Sequence, residues 1–353
     1  MKYGLPYKGS KNGIAKRIIA YLPKGKRLVD LFGGGGAITH CALLSCKWQS
    51  ILYNDINEQL GTLFRDAIFG NLTKEKRPDL YRWISREEFF KVKDTDMAIS
   101  LCFSFGNDNR TYCYGKELEP YKKACHMAIV FDDWHDMETL CPEVTEKAKE
   151  ALEGIEDTKK RRLAFGPAIV KELKRLNNIE LVKNNPLYSS CHVKHDTKTR
   201  KQDVIRDLQS LERLQSLERL ERLQSLERLQ SLERLQSLER LQSNITFTVG
   251  SYEQYQYQEG DVVYCDIPYE NTDNSYGVEF DHKAFYDWAS SRPYEVYISS
   301  YQISDDRFTE VWNAEKDVLA NQFGASAKCI ERIYCNKAVE SRNLMPMQLE
   351  LFG

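Results

Sequence analysis

The sequence predicts an α/β protein: a parallel sheet made in two halves, with a mainly helical segment inserted between them. Three observations predict it. Residues 26–60 read as strand, glycine loop, helix, second strand and amphipathic helix, and strands alternating with helices imply a parallel sheet. Residues 61–205 are polar and helical in pattern, with few strand signals. From about residue 244 strand character returns in ITFTVGSY, DVVYCDIPY and YEVYISSY. The 353 residues suffice for one large domain or two modest ones. The expected division is a split α/β domain (1–60 and 244–340), an insertion (61–205), a repeat (206–243) and a tail (341–353).

A net charge of −2 does not by itself announce a polyanion binder, but the charge is segregated. Residues 1–30 carry eight Lys/Arg and one acid, Asp30; residues 159–201 carry twelve against three; residues 132–157 hold ten acids and two lysines. Such segregation suits one face for a polyanion, and it equally suits solvated helix faces. Ten cysteines occur with no CxxC pair and no secretory leader, which predicts a cytosolic protein with buried free thiols such as Cys41 and Cys46. Cys191, His192 and His195 are of metal-binding types, but their spacing fits no zinc pattern, so no metal is expected. No apolar run reaches the ~18 residues of a membrane span.

The strand RLVDL runs into Phe32-Gly33-Gly34-Gly35-Gly36. Glycines let a chain turn sharply and let a ligand approach the backbone. The Lys-Ser/Thr of a phosphate-binding P-loop is missing. Asp55 ends the next strand, nineteen residues after Gly36, where an acid can accept hydrogen bonds from ribose hydroxyls. Loop and acid together point to an adenosine-containing cofactor without saying which.

A second motif, Asp266-Ile267-Pro268-Tyr269, ends the apolar strand DVVYC. The lone pair of an amino group on a base is delocalised into the ring, which makes the nitrogen a poor nucleophile. A carboxylate and a backbone carbonyl, each accepting one amino hydrogen, orient that nitrogen and draw its lone pair out of conjugation. Asp266 is the candidate carboxylate and Ile267 the candidate carbonyl. Pro268 stiffens the turn, and Tyr269 offers an aromatic face to a base flipped out of its duplex. The same tetrapeptide type occurs in structural turns, and the nearby glycine loop is what sets this one apart.

With these motifs in this order, the chain resembles the Dam-type (D12 class, alpha group) DNA adenine-N6 methyltransferases, especially phage and prophage members. YKGSKNGIAKRIIAYLP is similar to the family's N-terminal cofactor motif, LVDLFGGGG to its methionine-side loop, YNDIN to its ribose-binding motif, and GSYEQYQYQEGDVVYCDIPY to the approach to its catalytic motif. The resemblance implies a Rossmann-like methyltransferase sheet and a site-specific adenine-N6 DNA methyltransferase using S-adenosylmethionine. It assigns Tyr7, Lys11, Asp30, Phe32, Gly34, Gly36, Asp55, Ile56 and Asp266 to the cofactor, and makes the insertion a target-recognition domain. It also implies duplex DNA as partner, a cognate restriction enzyme in some systems, and a bacterial cytoplasm near the nucleoid. One residue departs from the family's Asp-Pro-Pro-Tyr: Ile267 replaces the first proline. The carbonyl survives, conformational restriction is lost, and a backbone donor is added. The alternatives are an N4-cytosine enzyme, whose motif commonly has Ser where Asp266 stands, and a cofactor- and DNA-binding module that has lost transfer.

Within the insertion, SFGNDNRTYCYGKELEPYKKACH offers Asn107, Asn109 and Arg110 for base edges, Lys116, Lys122 and Lys123 for phosphates, and Tyr112 and Tyr114 for the gap left by a flipped base. The alternative is a polar loop over a tyrosine core. In the repeat, hexads LQSLER place leucine at every third residue from Leu208 to Leu241. On an α-helix successive leucines then drift by about −60°, which is no coiled-coil seam. The reading is a slippage expansion tolerated in a surface connection, against a helix that shields its leucines by self-association. Finally, Gln348-Leu349-Glu350-Leu351-Phe352 resembles the pentapeptide that binds the bacterial sliding clamp.

Overall fold

The computed structural model describes residues 3–7, 9–183, 223–270, 280–319 and 326–337. It forms two compact units, Met1–Arg77 with Val92–Arg110 and Ser231–Gly353, and Pro78–Lys91 with Thr111–Gln230. Residues 61–77, 92–110 and 231–243 thus fall in the same unit as the sheet.

That unit is organised by seven strands: β1 (Arg27–Asp30), β2 (Ser50–Asp55), β3 (Ile245–Val249), β4 (Asp261–Cys265), β5 (Val296–Ser300), β6 (Thr309–Leu319) and β7 (Ser326–Cys335). Their order is β3-β2-β1-β4-β5-β7-β6. Pairings are parallel from β3 through β5, and β7 runs antiparallel to both β5 and β6. This is the Rossmann-like methyltransferase sheet. β1, β4 and β5 are buried nearly end to end, as continuous apolar runs in a sheet covered on both faces should be.

Among the described residues the α-helices lying wholly in this unit are α1 (Ala15–Tyr21), α2 (Ala37–Ser45), α3 (Glu58–Ile68), α4 (Met97–Phe103) and α5 (His282–Ser290). α3 starts where the Asn57 side chain accepts the Leu60 N–H, and it buries Leu60, Leu63, Phe64, Ala67 and Ile68 along one stripe. α5 starts the same way, with Asp281 accepting the Ala284 N–H, and buries Phe285, Tyr286 and Ala289. Those three join Val29, Leu52, Val263, Val296 and Ile298 in one core. Cys41 is buried, whereas Cys46 is exposed, because it caps α2 in the left-handed conformation (φ 50°) and turns its side chain out.

The second unit is mainly helical, with helices at Glu119–Phe131, Pro142–Leu152 and Thr158–Lys183. Arg161 ties two of them, donating to the carbonyls of Ala128 and Ile129 at 2.7 Å each. Tyr114 stacks on Trp83, ring centroids 5.7 Å apart, and shares a hydrogen bond with Ser225.

Ser225 belongs to the repeat, and here the expectation of a tolerated surface connection is overturned. The helix Gln224–Leu235 is followed by a 3-10 helix, Gln236–Asn244. Leu223, Leu226 and Leu229 are buried in the second unit; Leu232, Leu235 and Leu238 are buried in the first. Leu226, Leu229, Leu232 and Leu235 lie on the α-helix, where a three-residue step winds them round the axis, whereas Leu238 falls in the 3-10 helix, whose three residues per turn suit the period. Nine residues is long for such a run, and the leucine period fits it. Gln236 lies against Gly70, and Gln242 donates to the Ile68 carbonyl, so this stretch packs on the end of α3.

Among the described residues no helix is long and apolar enough to cross a membrane, and no group of three or more His, Cys, Asp or Glu is placed to hold a metal. Cys191, His192, His195, most of the basic stretch 159–201 beyond Lys183, and the tail residues Gln348, Leu349, Leu351 and Phe352 lie outside the described residues.

Candidate active site

In an open α/β sheet, ligands bind beyond the carboxyl ends of the strands where the winding reverses. Here β1 lies between β2 and β4, so the switch point falls at β1 and β4. Asp30 ends β1, Asp55 ends β2, and Asp266 follows β4. Three motifs far apart in sequence thus meet at one edge.

The glycine loop is held from β2. Tyr53 donates its hydroxyl to the Gly34 carbonyl at 2.7 Å. The Gly34 N–H donates to Asp55 Oδ2 at 2.7 Å, and the Asn57 N–H donates to Asp55 Oδ1 at 2.8 Å. Asn54 Nδ2 donates to the carbonyls of Leu31 and Gly250, 3.0 Å each. Gly34 and Gly36 have φ of +50° and +70°, the left-handed region that favours glycine. A Cβ at Gly36 would also lie 2.2 Å from the Phe64 ring. Tyr7 packs against Gly34 and Gly35. Its segment is anchored by the Gly4 N–H donating to His40 Nδ1 at 2.9 Å. Burial holds His40 neutral, its pKa lowered to about 4, so that acceptor persists. Phe32 turns into the core, stacked on Tyr252 and edge-on to Phe280 and Phe285; it shapes the loop from beneath. Ile56, 77% exposed, projects beside Asp55.

Asp30 is almost wholly buried. Its Oδ2 accepts the Thr39 hydroxyl at 2.7 Å, while its Oδ1 has no partner. Burial, reinforced by the neighbouring charges of Asp266 and Asp55, raises its pKa to about 7. Burial also raises Asp55, against the opposing pull of its two backbone N–H partners. An edge with an orphaned buried carboxylate oxygen and three acids fits a ligand that brings cationic groups and ribose hydroxyls.

At the Asp266-Ile267-Pro268-Tyr269 motif, Lys11 is buried and forms an ion pair with Asp266, with its Nζ 4.8 Å from the Tyr269 ring centroid. The family resemblance gives both Lys11 and Asp266 to the cofactor, and the two residues are paired with each other. Tyr269 is edge-on to Tyr301 at 4.5 Å and donates its hydroxyl to Glu331. The Pro268 carbonyl is 2.8 Å from His282 Nε2. Ile267 is 2% exposed and belongs to the sheet core, so the residue that departs from Asp-Pro-Pro-Tyr is an integral packing element.

The residues expected to touch DNA divide. Asn107 and Asn109 adopt φ of 60° and 57°, a conformation Asn tolerates better than most residues. Asn107 Nδ2 is turned back onto the Leu101 carbonyl, and Asn109 Nδ2 onto Met97 Sδ. Arg110 and Lys116 are exposed; Lys123 is exposed and pairs with Asp136. Tyr112 and Lys122 are corrections. Tyr112 is buried and donates to the Ile84 carbonyl at 2.6 Å; Lys122 is buried with its Nζ 5.8 Å from the Tyr114 ring centroid. These residues and Tyr114 make the tyrosine core of the second unit. Sequence reasoning also passed over Tyr53, Asn54 and Glu331. The one signal for Glu331 was an acid at an inward position of a buried strand, which demands a partner.

Residues 7–126 match the sequence profile of the family described as D12 class N6 adenine-specific DNA methyltransferase. The chain is also 39% identical over 57 residues to a DNA N-6-adenine-methyltransferase of Escherichia phage P1, a stretch covering 16% of this chain. The match spans only 7% of that relative's length. The matched region holds Tyr7, Lys11, the glycine loop and Asp55, and over residues 7–126 the chain is similar to the D12 class N6 adenine-specific DNA methyltransferases.

Proposed function

We propose that the whole chain is a site-specific DNA methyltransferase that transfers a methyl group from S-adenosylmethionine to the N6 amino group of adenine. The observation that carries this reading is the meeting of Asp266-Ile267-Pro268-Tyr269 with the glycine loop and Asp55 at the switch point of the sheet. When bound, the cofactor supplies a methyl group on a sulfonium, an electrophile. Asp55 accepts the ribose hydroxyls, Ile56 covers the adenine ring, and Tyr7 and Gly34 border the methionine side. Asp30 offers its orphaned Oδ1 to a cationic group.

Asp266 accepts one hydrogen of the target amine and the Ile267 carbonyl accepts the other, which aims the nitrogen lone pair at the methyl carbon. Transfer would break the methyl C–S bond of the sulfonium, leaving a neutral thioether, as the N–C bond forms; the Asp266 carboxylate would stabilise the cationic amine until it loses its proton. Tyr269 stacks on the flipped base. Exposed Arg110 and Lys116 are candidate contacts for DNA, and the helical insertion is the target-recognition element. Contact of the tail with a sliding clamp is supported by the pentapeptide alone.

The test is mass spectrometry of DNA from cells expressing the chain. N6-methyladenine above the empty-vector level is expected. N4-methylcytosine in its place identifies the neighbouring reaction class, and no modified base with cofactor and DNA still bound identifies a binding module.

A further inference from the structure

Glu331 is fully buried on β7 and belongs to none of the family motifs. Its Oε1 accepts the Tyr269 hydroxyl and the Ser299 hydroxyl, the latter at 2.7 Å. The same oxygen stands 3.8 Å from Lys11 Nζ, the ammonium that pairs with Asp266. One buried cation therefore stands between two carboxylates, one at the reacting end of the motif and one behind it. The other titratable groups facing Glu331 are the phenols of Tyr264, Tyr269 and Tyr301, while Asp30 and Tyr264 face Asp266.

A buried carboxylate is costly unless paired, and this one accepts from Tyr269 and Ser299 and lies beside Lys11. An incoming amine that donates to Asp266 competes with Lys11 for the same carboxylate. A second carboxylate within a small side-chain movement of Lys11 lets the ammonium yield Asp266 without losing its counter-charge. We infer that Glu331 is a positioning residue for methyl transfer, tethering the Tyr269 ring and holding Lys11 as Asp266 engages the target amine. This rests on the adenine-methyltransferase reading above.

The test compares the full-length wild type with Glu331→Gln and Ser299→Ala. Gln retains an acceptor for Tyr269 and Ser299 and removes the charge that holds Lys11. Glu331→Gln is expected to lower kcat about ten- to a hundredfold with KM for cofactor within about threefold. Removing a neighbouring like charge also lowers the Asp266 pKa, so the acid limb of kcat should move to lower pH by about half to one unit. Ser299→Ala keeps the charge and should stay within about threefold of wild type. A shift of the Asp266 titration, followed by carboxyl 13C NMR on aspartate-labelled protein without substrate, reports the coupling independently of turnover.

An active wild type with Glu331→Gln equal to it in kcat and in the Asp266 titration overturns the inference. So does a Glu331→Gln protein that loses activity only in proportion to a fall in its folded fraction, with the Asp266 titration unmoved. A wild type that methylates no adenine, yet shows the Asp266 shift in Glu331→Gln, overturns the functional reading and leaves the coupling standing.

Discussion

At the carboxyl edge of the sheet, Asp30, Asp55 and Asp266 are one residue type in three settings: a hydroxyl and a vacant bond for the first, two backbone N–H groups for the second, a buried ammonium for the third. In the repeat, six leucines from Leu223 to Leu238 share one setting, each at most 1% exposed. The edge is specified by identity at single positions. The repeat is specified by residue type at a fixed spacing, because each leucine fills a buried place of the same kind. Single substitutions should therefore damage chemistry at the edge and stability in the repeat.

The largest effect is expected at Asp266. Asp266→Ala removes the acceptor aimed at the target amine and should lower kcat by about 10²–10³-fold, as loss of a transition-state hydrogen-bond partner does. Cofactor affinity, measured by calorimetry, should fall much less. Near-normal turnover would break the edge side of the comparison.

Next in size is Leu235→Ala, at a fully buried position where the α-helix gives way to the 3-10 helix. A cost of about 2–5 kcal/mol is expected for a leucine truncated in a packed core, read as a shift in the denaturation midpoint. A one-residue insertion after Ser231 should cost more than removal of one whole hexad, since it puts every following leucine out of phase. Equal tolerance of the two changes would return the repeat to a mere surface connection.

What could be read in advance follows the same division. The strand–loop–helix grammar of residues 26–60 and the motif at 266–269 are local, so the fold class, and the strand ends where the motifs meet, were legible from short stretches. The Lys11–Asp266 pair spans most of the chain, and no local signal announces it. The tyrosines near residue 112 read as exposed because they are set among Asn, Arg and Lys, but their rings cluster with Trp83 and Phe89. The repeat misled through its composition. Its period matches neither an α-helical stripe nor a strand, yet Leu226, Leu229, Leu232 and Leu235 are all buried on an α-helix, so that helix is covered on more than one side.

A smaller effect is expected at Asp55. Asp55→Ala should weaken cofactor binding by about 1.5–3 kcal/mol, the range for hydrogen bonds to a charged group. It also frees the Gly34 N–H, so part of the loss should appear as a less ordered loop. Unchanged affinity by calorimetry would remove Asp55 from the ribose site.

Asp30 gives the pH dependence. Its folded pKa, about 7, lies above the ordinary carboxylate value of 3.8. The folded state therefore holds the proton more tightly than the unfolded chain, and this group's contribution to stability is full below pH 3.8 and lost as pH rises toward 7. A cationic ligand favours the carboxylate, so cofactor binding should release a proton and tighten up to tenfold per pH unit as pH rises toward 7. Calorimetry in buffers of different ionisation enthalpy reads the released proton, and Asp30→Asn should abolish it. Binding that is flat between pH 5.5 and 7.5, taken as roughly the window around that pKa, would place the ligand's cation elsewhere.

The smallest effect is expected at Ile267→Pro, which restores the family motif, and it is the sharpest probe of the comparison because identity and packing pull against each other there. Proline restricts the chain, which raises stability by about 0.4–1 kcal/mol where the local backbone already suits it. It also removes an apolar branch from a side chain in the sheet core, beside the cluster of Val263, Phe285 and Ile298, at a cost of about 0.8 kcal/mol per methylene plus any cavity term. The two nearly cancel, so the melting temperature should shift by no more than about 2–4 °C for a domain of this size. The position-267 carbonyl persists in either residue, so kcat should stay within about threefold. A tenfold fall in kcat with the melting temperature held would mean that the Ile267 side chain, through its place in the core, sets where that carbonyl points.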